Sequence, residues 1–138
     1  MTPSPLKLVF AGHDTSTFRE LTAALSHRSG LTIRSTSSPE ETWQVLNNGP
    51  IDILIADERV GTVDGGAFVR EVISTYPLIN CGLVSPLTPA AFHEATEGLG
   101  LFHQLPLHPG AEEAAGLFAA IDKLYGYLEK AASGGRAS

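Results

Sequence analysis

The sequence has few of the residues that mark secreted, metal-binding or membrane proteins. One of its 138 residues is a cysteine, so no internal disulfide can form, and Cys81 stands in an apolar run where a buried free thiol is ordinary. No apolar run approaches the roughly 18 to 20 residues that span a bilayer. The N-terminus lacks a basic region followed by a long apolar stretch, as a signal peptide would have. These absences predict a soluble, cytoplasmic protein without membrane contact.

Basic residues are also scarce. Nine Lys and Arg stand against fifteen Asp and Glu, which gives a formal net charge of −6. The basic residues are scattered, whereas nonspecific nucleic-acid binding requires a basic surface, so we expect no nucleic-acid partner. The five histidines have no metal-ligand spacing, which excludes a zinc site of the usual kinds.

Hydrophobic residues make up 43% of the chain, enough for a packed core. Five short segments, each followed by a helical pattern, predict strands at 6–11, 31–35, 51–56, 79–84 and 101–105; the segment at 31–35 alternates apolar and polar residues, and the others are mainly apolar. Alternating strands and helices predict an α/β domain: a doubly wound, five-stranded parallel sheet with five helices, flavodoxin-like in topology. The domain is expected over 6–130, between a flexible N-terminus at 1–5 and a flexible tail or linker at 131–138.

Two helix starts carry capping signals. Ser38 precedes Pro39 and stands three residues before Glu41, which predicts a serine-capped helix. Before the first helix, the hydroxyl residues 15–17 are expected to supply the N-cap, with Glu20 completing the arrangement.

Polar residues follow several of the predicted strands. Because the carboxyl ends of parallel strands lie at one edge of the sheet, we expect these residues to converge there. Asp57 alone could be an ordinary loop acid, but with Asp14 and Ser85 nearby a functional role is favoured. The residues past the strand ends are His13, Asp14, Asp57, Ser85, Leu105 and Pro106.

In this order and spacing the segments resemble the receiver domain of two-component response regulators, over roughly residues 6–130. FAGHDTSTFR resembles the first-strand acidic pair, and IDILIADERVGTVDGGAF the phosphoacceptor strand and loop, with Asp57 in the acceptor place. GLVS resembles the fourth strand with its hydroxyl residue Ser85. GLGLFHQLPL resembles the fifth, with Phe102 at the switch aromatic and Leu105-Pro106 where the family has Lys-Pro.

The resemblance implies a signalling domain, not an enzyme beyond self-catalysed phosphoryl transfer. Asp57 would accept phosphate from a histidine kinase or phosphotransfer protein. Mg²⁺ would be held by Asp14, Asp57 and the backbone carbonyl of Arg59. Ser85 would donate to a phosphoryl oxygen and act with Phe102 as the switch. A downstream partner or a homodimer would use the face formed by the fourth helix, fifth strand and fifth helix.

Two departures weaken this expectation. His13 replaces an acid, and imidazole is a poor ligand for Mg²⁺. Leu105 replaces the lysine, and no lysine occurs between Lys7 and Lys123. The missing charge-assisted hydrogen bond is worth about 1.5–3 kcal/mol, or about one to two powers of ten in the step it stabilises.

Two hypotheses therefore remain open. In one, Asp57 accepts phosphate slowly, with His13 or an arginine supplying positive charge. In the other, the chain is a pseudo-receiver that binds a partner without phosphorylation.

Other classes of function fit less well. The hydroxyl-rich segment at 12–17 could hold the phosphate of FMN at a helix N-terminus, but Asp14 would repel that phosphate. The strand-end loops also show no obvious pair of Trp or Tyr to stack on a flavin. A hydrolase is excluded because no serine stands in a G-x-S-x-G nucleophile elbow.

Overall fold

The structure, a computed structural model, describes residues 5–14, 16–27 and 30–126. Most of the predicted flexible N-terminus, the predicted tail at 131–138 and the last four residues of the predicted domain lie outside the described residues.

The central sheet has five parallel strands in the order β2-β1-β3-β6-β7. A separate two-stranded ladder pairs β4 with β5. The order in the central sheet is that of the flavodoxin-like doubly wound folds, so the predicted fold class is confirmed. The strands are β1 Leu6–Ala11, β2 Leu31–Thr36, β3 Ile53–Ala56, β4 Arg59–Val60, β5 Val63–Asp64, β6 Asn80–Val84 and β7 His103–Leu105.

Five α-helices connect these strands, as predicted. A short 3-10 turn at Ala111–Glu113 precedes the last of them. The helices are α1 Arg19–Leu25, α2 Pro39–Asn47, α3 Gly65–Thr75, α4 Pro89–Ala95 and α5 Ala114–Tyr125.

The two predicted caps have different outcomes. The Ser38 hydroxyl accepts a hydrogen bond from the Glu41 backbone N–H at 3.1 Å, which confirms the start of α2. The hydroxyl cap of α1 is wrong: the N-cap position is Phe18, and no side chain caps it. The Phe18 ring is buried and stacks on Phe10 with ring centroids 4.5 Å apart. Core packing places Phe18 at the helix start, and Ser16 bonds to Asp14 instead.

Each face of the sheet carries its own core. Along β1, Leu8 and Phe10 pack into one cluster with α1 and α5, while Val9 and Ala11 pack into the other with α2 and α3. A sheet covered on both faces leaves its carboxyl edge, where the strand-end loops meet, as the place for a functional site.

The segment at 58–63, which follows the predicted strand at 51–56, contains most of the β4–β5 hairpin. Gly61 at its turn has φ +63°, and its N–H donates to the Gly12 carbonyl at 3.1 Å. A Cβ at Gly61 would lie 2.9 Å from Cδ of Pro39 in α2. The hairpin therefore packs closely against both the end of β1 and the start of α2.

At the far end of the hairpin, the Asp64 carboxylate caps α3 by accepting from the Ala67 N–H at 3.0 Å. Within the described part of the chain, no helix has the length and apolarity needed to cross a lipid bilayer.

Candidate site at the carboxyl edge of the sheet

Asp57 lies directly after β3 and is nearly buried, with 8% of its surface exposed. Its backbone N–H donates to the Ala11 carbonyl at 2.8 Å, which continues the pairing of β3 with β1. One carboxylate oxygen, Oδ1, accepts from the Glu58 N–H at 2.7 Å. The other oxygen, Oδ2, faces the loop that follows β1.

The imidazole of His13 contacts both acids of the site. Its Nε2 lies 3.0 Å from Oδ2 of Asp14, and its Nδ1 lies 3.6 Å from Oδ2 of Asp57. The structure thus brings Asp14 and Asp57 to one place, as the topology predicts, with His13 between them. An ion that bridged these two oxygens would compete with the imidazole for them.

Asp14 is held by its own loop. Its Oδ1 accepts from the Ser16 hydroxyl and from the Ser16 backbone N–H, the latter at 2.7 Å. The hydroxyl bond first, and then the backbone bond, lower the pKa of Asp14 below its ordinary value, with a smaller contribution from His13. Asp14 is therefore an anion at neutral pH, with both oxygens already contacted by protein groups.

The residues present do not fit Mg²⁺ well. The ion prefers octahedral oxygen coordination. No group of three or more His, Cys, Asp or Glu in the described ranges could hold a metal. Arg59, the predicted source of a carbonyl ligand, lies in β4, and its Nη1 donates to the Thr62 carbonyl at 3.2 Å. The magnesium site stays a prediction, and the His13 imidazole lies 3.0 and 3.6 Å from the two carboxylate oxygens that it would use.

An open cleft of about 720 Å³ surrounds this cluster. Its charge is predominantly acidic, because four carboxylates face one guanidinium. From the sequence Glu20 was assigned only to a helix cap, and Leu107 and His108 were not assigned to the site, although both follow β7 and lie at the carboxyl edge of the sheet. His108 has φ +52°, an uncommon conformation for a residue other than glycine. The lining acids are Asp14, Glu20, Asp57 and Glu58, and the guanidinium is that of Arg59.

Ser85 does not line this cleft. Its N–H donates to the Leu105 carbonyl at 2.9 Å, and its hydroxyl accepts from the Leu87 N–H at 3.2 Å. The Gln104 amide nitrogen donates to the Leu87 carbonyl at 2.7 Å and to the Ser85 carbonyl at 3.3 Å. Gln104, which the sequence analysis missed, thus binds the loop after β6 to the edge strand β7.

Leu105 occupies a core position. It is 1% exposed and packs with Leu117 and Ile121 of α5. Where the resemblance implies a lysine, the structure has a buried apolar side chain. Pro106 follows on the surface.

Phe102 precedes β7, and its N–H donates to the Cys81 carbonyl at 3.0 Å. Its ring lines a separate depression with His93 and Gly100. The structure therefore does not place Phe102 in the cleft that holds Asp57.

No protein-family model and no curated protein sequence matches the chain. Solved structures do match. The signal receiver domain of an HD domain-containing protein from Pseudomonas fluorescens Pf-5 has a TM-score of 0.73 at 14% identity, covering 94% of this chain and 96% of that one. The chemotaxis response regulator CheY4 of Vibrio cholerae has a TM-score of 0.70 at 15% identity, covering 84% and 98%.

A third match is the receiver domain of RcsB from Salmonella enterica serovar Typhimurium, determined with the phosphomimetic BeF₃⁻. Its TM-score is 0.72 at 12% identity, covering 87% of this chain and 90% of that one. The fold of the chain is that of a receiver domain.

Proposed function

We propose that this chain is a receiver-type signalling domain that acts through protein contacts without needing phosphorylation of Asp57. The fold supports the general role, since the matching structures are receiver domains over most of the chain. One observation supports the finer proposal: the His13 imidazole lies between Asp14 and Asp57, where the resemblance implies a metal ion.

The charge of the cleft also opposes phosphoryl transfer to Asp57. An incoming phosphoryl group is anionic and would meet four carboxylates. Two like unit charges 4 Å apart repel by about 4 kcal/mol at an effective dielectric constant of about 20. Arg59 is exposed and bonded to Thr62, and Leu105 supplies no amine. The described residues therefore offer little positive charge to offset this repulsion.

In this proposal the Asp14–His13–Asp57 cluster has a structural role. It joins the loop after β1 to the end of β3, two segments that are distant in sequence. A partner that binds these loops would contact one fixed arrangement of side chains. The partner would be a histidine kinase, a phosphotransfer protein or a downstream signalling protein.

A second candidate function is slow phosphate acceptance by Asp57, supported by a weakly bound Mg²⁺. One observation favours it: Asp57 lines the cleft, and its Oδ2 lies 3.6 Å from His13, which is longer than a hydrogen bond. That oxygen therefore keeps free capacity as a nucleophile. The acidic lining gives no similar support to FMN binding, because the flavin phosphate would meet the same carboxylates.

Backbone amide NMR spectra recorded with Mg²⁺ and beryllofluoride distinguish the two candidate functions. For the proposal, the wild-type spectrum stays unchanged at millimolar Mg²⁺, and wild type and Asp57→Asn bind an identified partner equally well. His13→Asp adds the missing carboxylate and should gain Mg²⁺-dependent shifts around Asp57. The matched control is His13→Asn, which removes the imidazole without adding a charge.

A beryllofluoride response in the wild type that Asp57→Asn abolishes would establish the second candidate and refute the first. The absence of any Mg²⁺ response in His13→Asp would show that His13 is not what prevents metal binding.

A further inference from the structure

An apolar groove lies beside the acidic cleft, between the loops that follow β6 and β7. Its volume is about 560 Å³. Leu87 and Leu107 expose 43% and 41% of their surface, although both are large apolar residues. The apolar residues that line the groove are Pro86, Leu87, Pro89, Pro106 and Leu107, and we refer to it as the proline–leucine groove.

The groove and the cleft form one continuous surface. Leu107 lines both of them, so the groove and the cleft adjoin at this residue. Single exposed apolar side chains are normal on protein surfaces, and Leu78, 92% exposed, is one that lines none of the described clefts. The grouping of Leu87 and Leu107 with three prolines is what sets the groove apart.

The groove is also held in shape. The Leu87 N–H donates to the Ser85 hydroxyl at 3.2 Å, and the Leu87 carbonyl accepts from Gln104 at 2.7 Å. Prolines restrict the backbone on both loops. Since little order would have to be gained on binding, a ligand would lose little affinity to loop ordering.

We propose that this surface binds a basic segment of a partner protein, with an apolar side chain in the proline–leucine groove and Lys or Arg in the cleft. Charge complementarity supports a basic partner segment. The cleft has four carboxylates and one guanidinium, and it adjoins the groove at Leu107. The partner's cation supplies the positive charge that the cleft lacks. The inference rests on the proposed function, because it names the chemistry of the protein contact.

Fluorescence anisotropy with a labelled synthetic helical peptide of leucine and lysine tests the inference on the full chain. A peptide of the same spacing with glutamate in place of lysine is the charge control. Leu107→Asn and Leu87→Asn remove the apolar contact, and Leu78→Asn is the matched control at an exposed leucine elsewhere. Glu58→Gln removes a cleft carboxylate, and Glu71→Gln removes an exposed carboxylate on α3 that does not line the cleft.

The expected result is that Leu107→Asn and Leu87→Asn weaken binding of the lysine peptide by about tenfold or more, the effect of losing one buried leucine contact. Glu58→Gln weakens it measurably, whereas Leu78→Asn and Glu71→Gln leave it unchanged. All five side chains are exposed, and circular dichroism verifies that each variant is folded.

Equal binding by all variants would show attraction to the net charge alone and overturn the proposal. So would tighter binding of the glutamate peptide. If sedimentation shows a dimer that Leu107→Asn dissociates, the occupant is a second copy of the chain and the proposed partner is wrong. A peptide that fails to bind refutes this inference only, because the proposed function is tested separately by the beryllofluoride response of Asp57.

Discussion

The two glycines after Asp64 should respond in opposite ways to the same substitution. A Cβ added at Gly65 would lie 1.9 Å from the Asp57 carbonyl oxygen and 3.1 Å from two backbone carbonyl carbons. A Cβ added at Gly66 would lie 3.3 Å from Oδ2 of Asp64 and 3.9 Å from Cδ2 of Leu83. Both glycines belong to α3, and neither has a positive φ. Only the first is pressed against the backbone of the candidate site.

The size of the effect follows from these distances. At Gly65 backbone atoms would have to move by about an ångström, and overpacking of this kind costs about 1–3 kcal/mol, occasionally more. The higher helix propensity of alanine returns at most about 1 kcal/mol. At Gly66 the close contact is with Oδ2 of Asp64, a side-chain atom that also caps α3, so part of that gain is kept. We expect Gly65→Ala to be less stable than Gly66→Ala by about 1–3 kcal/mol, because the propensity gain is common to both and cancels.

Urea unfolding followed by tryptophan fluorescence measures the difference. Trp43 packs edge-on against Phe68 of α3, with ring centroids 5.5 Å apart, so its emission reports on the helix that carries both glycines. Far-ultraviolet circular dichroism on the same samples tests whether unfolding is two-state. For a domain of this size, 1 kcal/mol also corresponds to roughly 3–6 °C in Tm.

Two outcomes would refute the reasoning. If Gly65→Ala is as stable as the wild type, the close approach of α3 to the Asp57 carbonyl does not exist in solution. If both variants lose stability equally, the loss comes from a property that the two positions share. A chemical shift change at the Asp57 amide in Gly65→Ala, and not in Gly66→Ala, would locate the displacement at the site.

Three further predictions concern buried positions. Leu105→Lys should destabilise the fold by roughly 2–4 kcal/mol in urea unfolding, because an apolar core position would receive an ammonium group; no loss would mean that the lysine reaches solvent. Burial raises the pKa of Cys81 to about 12, so a thiol reagent should react slowly with the native protein near neutral pH and rapidly in urea; fast native reaction contradicts the burial. Burial lowers the pKa of His103 below 6.5, so the folded state resists protonation of this side chain. The free energy of unfolding should therefore have its full value above pH 6.5 and fall as the pH drops toward the pKa of the folded state. In His103→Gln this pH dependence should be absent, and an unchanged pH dependence would contradict the prediction.

The sequence was sufficient for the architecture because buried strands are apolar on both faces. The run at residues 6–11 is a strand with the predicted bounds, ending before Gly12. The capping signal at Ser38 is local, and the structure confirms the helix start that it predicts. The start of α1 could not be read this way, since the stacking of Phe18 on Phe10 is a tertiary contact. The β4–β5 hairpin was missed because strands of two residues have no detectable periodicity.

The candidate site was only partly readable from sequence for a similar reason. Topology alone places Asp14 near Asp57, because β1 and β3 are neighbours. The Gln104 side chain bonds to the Ser85 and Leu87 carbonyls across two strand-end segments, a contact that no local pattern reveals. The contacts of His13 depend on a side-chain rotamer, so the sequence could name the residue but not what it contacts.

The β4–β5 hairpin determines what the spacing between Asp57 and Asp64 in the sequence can say about function. Val60 is fully buried, Gly61 fits closely against Pro39, and Asp64 caps α3, so an inserted or deleted residue would disrupt all three arrangements. The distance along the chain from Asp57 to Asp64 is thus required by folding, whether or not phosphate is ever accepted. This spacing therefore reports how the hairpin packs, and it carries no information on the chemistry of Asp57.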